Sequence, residues 1–187
     1  MKTVWIVASG SQRPDNCELN DIKHIGPIWG AHNTWRSWKT DNVVASGVSA
    51  CKLMLERKIQ LHSNLYIPRT LYTDLGRPND VNLYDSPNWM EAKDIDDVIA
   101  MNLAAANSDI VLLFGFDLST PESSGDTIKD RMVKNRYGII LSLIRGFDHT
   151  QWVLIDPPSD TDASFGSLAN FTCDSLSNVL TLLSDQS

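Results

Sequence analysis

Short, fully apolar runs alternate along the chain with longer segments of helical periodicity. Lys2 to Ala8 (K-T-V-W-I-V-A) is β-branched and apolar throughout and closes on Ser9-Gly10-Ser11, which predicts a strand buried on both faces followed by a turn. Residues 11 to 40 carry the breakers Pro14, Gly26, Pro27 and Gly30 and read as irregular. Asn42 to Ala45 predicts a second strand, and Val48, Cys51, Leu55 and Ile59 follow at near-helical spacing. Asn64 to Pro68 is a third strand. Val81 to Tyr84 is a fourth, after the turn signal Gly76-Arg77-Pro78-Asn79-Asp80. Asp94 caps a broadly apolar helix carrying Ile95, Val98, Ile99, Leu103 and Ala106, with Asp97 favouring its positive end.

Ile110 to Phe116 (I-V-L-L-F-G-F) is the most apolar run and predicts a central fifth strand. A long helix from Asp126 then places Ile128, Met132, Ile139, Ile140 and Leu143 on one side, with Gly146 just past its end. Trp152 to Ile155 is a sixth strand, stopped by Asp156-Pro157-Pro158 because consecutive prolines cannot continue a ladder. Phe171 to Cys173 reads as a last edge strand. Asp174 caps a terminal helix whose Leu176, Val179, Leu180 and Leu183 share one face. Such alternation implies a Rossmann-like three-layer α/β/α sandwich with a mainly parallel sheet and right-handed crossovers, and the 187 residues fit a single domain.

Composition narrows the partners. A hydrophobic content of 42% with 21% charged residues is that of an ordinary globular protein. The apolar run at Thr3 to Ala8 is too short for a secretory core or a membrane span. Three separated cysteines, Cys17, Cys51 and Cys173, suit a reducing compartment, so a cytoplasmic location without membrane contact is expected. A formal charge of −7 argues against a nucleic-acid footprint, which needs clustered cations. It leaves room for a small anionic ligand such as a nucleotide, which needs only a local cation and some backbone N–H groups. Neither a cofactor nor an oligomeric state follows from the composition.

In open α/β sheets ligands lie beyond the carboxyl ends of the strands, where strand order reverses. The residues there are Ser9, Gly10 and Ser11 after the first strand, Ser46 and Gly47 after the second, Arg69 after the third, Gly115 and Asp117 after the fifth, and Asp156 after the sixth. Ser9, Gly10 and Ser11 can offer N–H groups and hydroxyls to a phosphate, although neither G-x-G-x-x-G nor a P-loop motif is present. Gly115 permits close backbone approach, and Asp117 suits a ribose hydroxyl or a general base, or equally a turn. Arg69 or Arg36 can neutralise anionic charge. Trp29, Trp35 and Trp38, interleaved with His32, Arg36 and Lys39, are rings for stacking or for packing, and His32 is a candidate base. Asp160-Thr161-Asp162 has the form of an acidic pair that can share a cation, or of a polar loop. No His or Cys spacing suits zinc, and no G-x-S-x-G is present.

The segment Ile99 to Leu118, an apolar helix entering D-I-V-L-L-F-G-F-D-L, resembles the I-Y-L-x-G-x-D strand of Rossmann-like bacterial sialyltransferases and related motility-accessory-factor-type proteins. V-W-I-V-A-S-G-S stands where that superfamily has its nucleotide loop, and Q-W-V-L-I-D-P looks like its following strand. The resemblance covers about half the chain. It departs from the superfamily in lacking G-N-G-P-S and in placing Ser46-Gly47-Val48, similar to S-G-V, before a different helix. The resemblance implies a nucleotide or nucleotide-sugar binding domain with glycosyl or group transfer as its chemistry, Ser9, Gly10 and Asp117 being carried over. Two other readings stand beside it. One is a noncatalytic interaction or regulatory module whose exposed tryptophans engage a partner, and the other is an N-glycosidase or deoxyribosyltransferase-like enzyme with a buried carboxylate facing a nucleoside.

Overall fold

A computed structural model describes residues 1–8, 22–86, 95–119 and 125–184, without the side chains of Arg36, Lys129 and Asp130. The strands are β1 (Thr3–Val7), β2 (Ile28–Ala31), β3 (Asn42–Val44), β4 (Asn64–Pro68), β5 (Val81–Tyr84), β6 (Ile110–Phe114), β7 (Gln151–Ile155) and β8 (Phe171–Asp174). The helices are α1 (Val48–Glu56), α2 (Asp96–Ala105), α3 (Thr127–Gly146), the single-turn α4 (Ala163–Gly166) and α5 (Leu176–Ser184). All eight strands pair in parallel in the order β5-β4-β3-β2-β1-β6-β7-β8, with helices on both faces, which is a Rossmann-like α/β arrangement. Among the described residues no helix is long and apolar enough to cross a membrane.

The continuous apolar runs are explained by burial on both faces. In β1, Val4 and Ile6 join the core under α2 and α3, while Trp5 and Val7 join the opposite core with Val179 of α5. β6 divides likewise, Val111 and Leu113 to one side and Leu112 and Phe114 to the other. A third cluster packs Cys51 and Met54 of α1 against Val43, Ala45, Leu65 and Ile67.

β2 overturns the expectation that residues 11 to 40 are wholly irregular. The sequence Gly26-Pro27 before it is not a break in the sheet but the way into it. A Cβ on Gly26 would lie 2.1 Å from the Thr3 carbonyl oxygen, so only glycine lets the chain pass this close to β1. The Pro27 carbonyl then accepts from the Trp5 N–H at 3.0 Å, a role that needs no N–H of its own.

The helix ends also differ from expectation. Asp94 lies outside the described residues, and α2 begins at Asp96, the Asp97 carboxylate accepting from the Val98 N–H at 2.9 Å. Ser175 rather than Asp174 caps α5, its Oγ accepting from the Asn178 N–H at 3.3 Å. Gly146 is the last helical residue of α3.

Only the second half of α3 is buried: Ile140, Leu143 and Ile144 enter the core, whereas Ile128 is 71% exposed and Met132 is exposed with it. The reason is where the helix starts. Arg136 meets Asp97 in the first turn of α2 at 2.5 Å, so the nine residues from Thr127 to Asn135 precede that crossing. Since α2 and α3 both return antiparallel to the strands, those residues extend up to about 13 Å beyond the start of α2, past the sheet that would cover them.

Candidate functional site

The chain builds β1, moves outward strand by strand to β5, and returns to β6 on the other side of β1, so strand order reverses between β1 and β6. Their carboxyl ends are adjacent: the Ala8 N–H donates to the Phe114 carbonyl at 2.9 Å. Gly115 follows with φ +72°, a left-handed conformation that favours glycine, and ends the strand. Asp117 is exposed, and its Oδ1 accepts from the Ser119 N–H at 3.1 Å, a local turn. Ser9, Gly10 and Ser11 lie outside the described residues.

On the same edge, beyond β2 and β3, three side chains converge. His32 directly follows β2 and is held to β3 by its N–H on the Val44 carbonyl at 2.9 Å. Ser46 follows Ala45, whose N–H reaches the Tyr66 carbonyl on β4 at 3.1 Å. Between them stands Asp96 in the first turn of α2, its side chain only 5% exposed. One carboxylate oxygen accepts from the Ser46 N–H at 3.1 Å and from the Ser46 hydroxyl, and the other meets His32 Nδ1 at 2.5 Å. The α2 dipole favours a carboxylate at this position. Asp97 beside it takes the Arg136 guanidinium.

The core beneath this helix start is apolar and aromatic. Trp29 and Tyr66 pack with ring centroids 4.8 Å apart. Burial, with Asp96 adding to it, pushes the Cys51 thiol from 9.0 up to about 12. Burial first, then the Asp96 and Cys51 charges, also raises the Tyr84 phenol, so it stays protonated and can only be lost to base well above neutrality. The Tyr84 hydroxyl is buried and has no hydrogen-bond partner among the described residues.

This geometry sorts the residues singled out in the sequence. His32 is brought into the cluster, and Gly115 and Asp117 stand at the reversal point. Arg69 is not part of either: it is exposed on the turn after β4, three strands from β1, and pairs with Asp85 at 2.8 Å. Asp156 supports α5 by accepting from the Leu176 N–H at 3.2 Å. In the Asp160-Thr161-Asp162 loop, Asp162 caps α4 by accepting from the Ser164 N–H at 2.6 Å, and its own N–H binds the Leu118 carbonyl at 3.0 Å. Among the described residues no group of three or more His, Cys, Asp or Glu is arranged to hold a metal ion. Trp29 is buried in β2 and Trp38 in the opposite core, while Trp35 packs against the α1 cluster, so the three rings form no contiguous exposed patch.

Asp96 and Tyr84 carry no sequence signal as site residues. The D-I-D-D run marks a helix start, and only the strand order places one of its carboxylates against His32 and Ser46. The cluster is not a nucleophilic triad, because Ser46 is bonded to Asp96 and not to the imidazole. What it supplies is an imidazole oriented through Nδ1 by a buried carboxylate, with Nε2 left as the ring nitrogen for a second partner. Cations stand on the projecting part of α3, where Thr127, Arg131, Lys134 and Asn135 line a depression of about 370 Å³. No protein-family model, curated protein or solved structure matches the chain.

Proposed function

We propose that the protein binds a nucleotide or nucleotide-sugar at the carboxyl edge of its sheet and uses it in group transfer. The observation that carries this reading is the reversal of strand order between β1 and β6, with an Asp-oriented histidine one strand away on the same edge. Adjacent strands are about 4.8 Å apart, so His32 is within a ligand's width of the reversal point. The loose likeness of the β1 and β6 segments to Rossmann-like sialyltransferases points the same way.

In this reading Gly115 allows the ligand to approach the exit of β6 and Asp117 accepts from a ribose hydroxyl. The Ser9-Gly10-Ser11 sequence that follows β1 contacts phosphate. Arg131 and Lys134 take over the charge neutralisation that Arg69 is too remote to provide. Nε2 of His32 accepts the proton of an attacking hydroxyl as its oxygen bonds to the transferred group, the bond from that group to the nucleotide phosphate breaks with its electron pair leaving on the phosphate, and Asp96 steadies the imidazolium that forms.

Thermal unfolding in the presence of nucleotides and sugar nucleotides tests the binding. A ligand at a hundred times its Kd stabilises by about 2.7 kcal/mol, which for a chain of this size raises Tm by roughly 5–10 °C. No stabilisation by any of them at millimolar concentration refutes the reading.

A further inference from the structure

The His32 side chain is 23% exposed just beyond β2, and its two ring nitrogens differ in what they can do. A carboxylate only accepts, so Asp96, at 2.5 Å, fixes the proton on Nδ1 and leaves the lone pair on Nε2. Among the described residues Nε2 has no hydrogen-bond partner. A histidine that activates a nucleophile of its own protein holds a hydroxyl or thiol at this nitrogen. Here the Ser46 hydroxyl donates to Asp96 instead, and the Cys51 thiol donates to the Ala45 carbonyl at 3.2 Å. The lone pair therefore takes a proton from a bound acceptor hydroxyl or, where none is bound, attacks by itself.

The same carboxylate joins the ring to the start of α1. Its other oxygen accepts from the Ser46 N–H at 3.1 Å, so that nitrogen and Nδ1 lie no more than about 8 Å apart. Gly47 follows as the N-cap of α1, extended at φ −90° and ψ 148°, with no side chain to cap the helix. The N–H groups of the first turn are not taken up by the cap, no acidic residue stands among them, and Gly47, Val48 and Ser49 are exposed. An anionic group beside His32 is within reach of the positive end of this helix. Phosphorus carrying anionic oxygens is an electrophile that suits both the lone pair and the helix end.

We propose that His32 is a phosphoryl acceptor, its Nε2 taking the group from a phosphoric anhydride with Asp96 as the positioning residue. The Nε2 lone pair forms the bond to phosphorus. The anhydride bond breaks, and its electron pair leaves on the oxygen of the departing acid. The Nδ1 proton stays in place, and the positive charge gained by the ring is balanced by the Asp96 carboxylate. Later transfer to water, releasing inorganic phosphate, restores the imidazole. This activity goes beyond the nucleotide reading and does not rest on it, because neither sugar nor base takes part.

The test is to incubate the full chain with acetyl phosphate, whose leaving group is acetate, and to follow each histidine by peptide mass spectrometry in alkali, which preserves phosphohistidine. The exposed His24, His62 and His149 are internal controls. His32 should be labelled about a hundredfold faster than they are, the size of one preorganised electrostatic contact to a developing charge. In urea-unfolded protein it should fall to their rate. Asp96→Asn should lose most of the advantage. Its amide can donate as well as accept and no longer fixes the tautomer, so the variant should carry phosphate on either ring nitrogen. Wild type should carry it on Nε2 alone, as read by phosphorus NMR. General destabilisation of the variant would slow labelling without changing the nitrogen.

Labelling of folded His32 no faster than that of the exposed histidines overturns the proposal. So does phosphate on Nδ1 in wild type, or an unchanged choice of nitrogen in Asp96→Asn. Nucleotide binding is judged by thermal unfolding alone, so the two readings fail separately.

Discussion

Replacing Asp96 with alanine should destabilise the fold by about 3 kcal/mol, although the residue contributes nothing to the apolar core. Its carboxylate collects the Ser46 N–H, the Ser46 hydroxyl and His32 Nδ1, and so ties the start of the crossover helix α2 to the exits of β2 and β3. Deleting one partner of a buried charged pair costs about 3–5 kcal/mol when the other is left dry. Here Ser46 is partly exposed and the His32 side chain is 23% exposed, so water can reach both and the cost falls to about 2–3 kcal/mol. Loss of the favourable charge at the α2 N-terminus adds about 0.5 kcal/mol.

Urea unfolding should show the midpoint fall with an unchanged slope, and Tm should drop by roughly 6–12 °C. Asp96→Asn, which keeps an acceptor for Ser46 but not the charge, should lose about half as much. In a double-mutant cycle, Asp96→Ala and His32→Ala should couple by about 1 kcal/mol. The exposed Asp85→Ala, as control, should stay within about 0.5 kcal/mol of wild type. A loss below about 1 kcal/mol in Asp96→Ala, or zero coupling to His32, would refute the account of Asp96 as the link between these elements.

Other consequences can be checked on purified protein. Ile144→Ala should cost about 2–5 kcal/mol in chemical unfolding, whereas Ile128→Ala on the projecting part of the same helix should change stability by less than about 0.5 kcal/mol. Gly26→Ala should be severely destabilising, seen as loss of soluble folded protein, because the new methyl would have to displace the β1 backbone at Thr3. Alkali should weaken the fold through Cys51. With the folded-state value at about 12 against an ordinary 9.0, the folded protein holds this proton longer. Its stabilising effect is complete below pH 9 and is lost as pH rises towards 12, by at most about 1.4 kcal/mol per pH unit. Urea midpoints at pH 8 and pH 10.5 should therefore fall less in Cys51→Ala than in wild type. Iodoacetamide at pH 8 should modify Cys173, which is exposed, and spare Cys51 until urea is added, as read by peptide mass spectrometry.

Local pattern was sufficient wherever one segment's burial decides its structure. β1, β6 and the buried half of α3 could be read because a strand covered on both faces must be apolar at every position, and a helix packed on one face must be apolar every third or fourth residue. The edge strands β5 and β8, with Asn82, Thr172 and Cys173 exposed, were readable instead from the breaks between elements that set them off. β2 escaped because Ile28–Ala31 is four residues long and enters through Gly26-Pro27, a pair that signals a turn. Its strand character comes from neighbours on both sides, not from its own composition. The exposure of Ile128 and Met132 was hidden for a related reason: periodicity tells which positions of a helix align, not how far the helix runs past the layer that would bury them.

The edge on which to look for chemistry was also determined by the sequence, since parallel strands joined by helices present all their carboxyl ends on one side. Gly115 and Asp117 were read from that edge, whereas His32 was singled out with the tryptophans around it and stands on the edge only because β2 precedes it. Which of its residues touch was decided by strand order alone. β4 lies three places from β1, which removes Arg69, and the crossover helix from β5 to β6 lands over β2 and β3, which brings in Asp96. His32 and Asp96 are 64 residues apart, and no local propensity encodes a contact of that range. It exists because the long crossover has to pass over the strands laid down first.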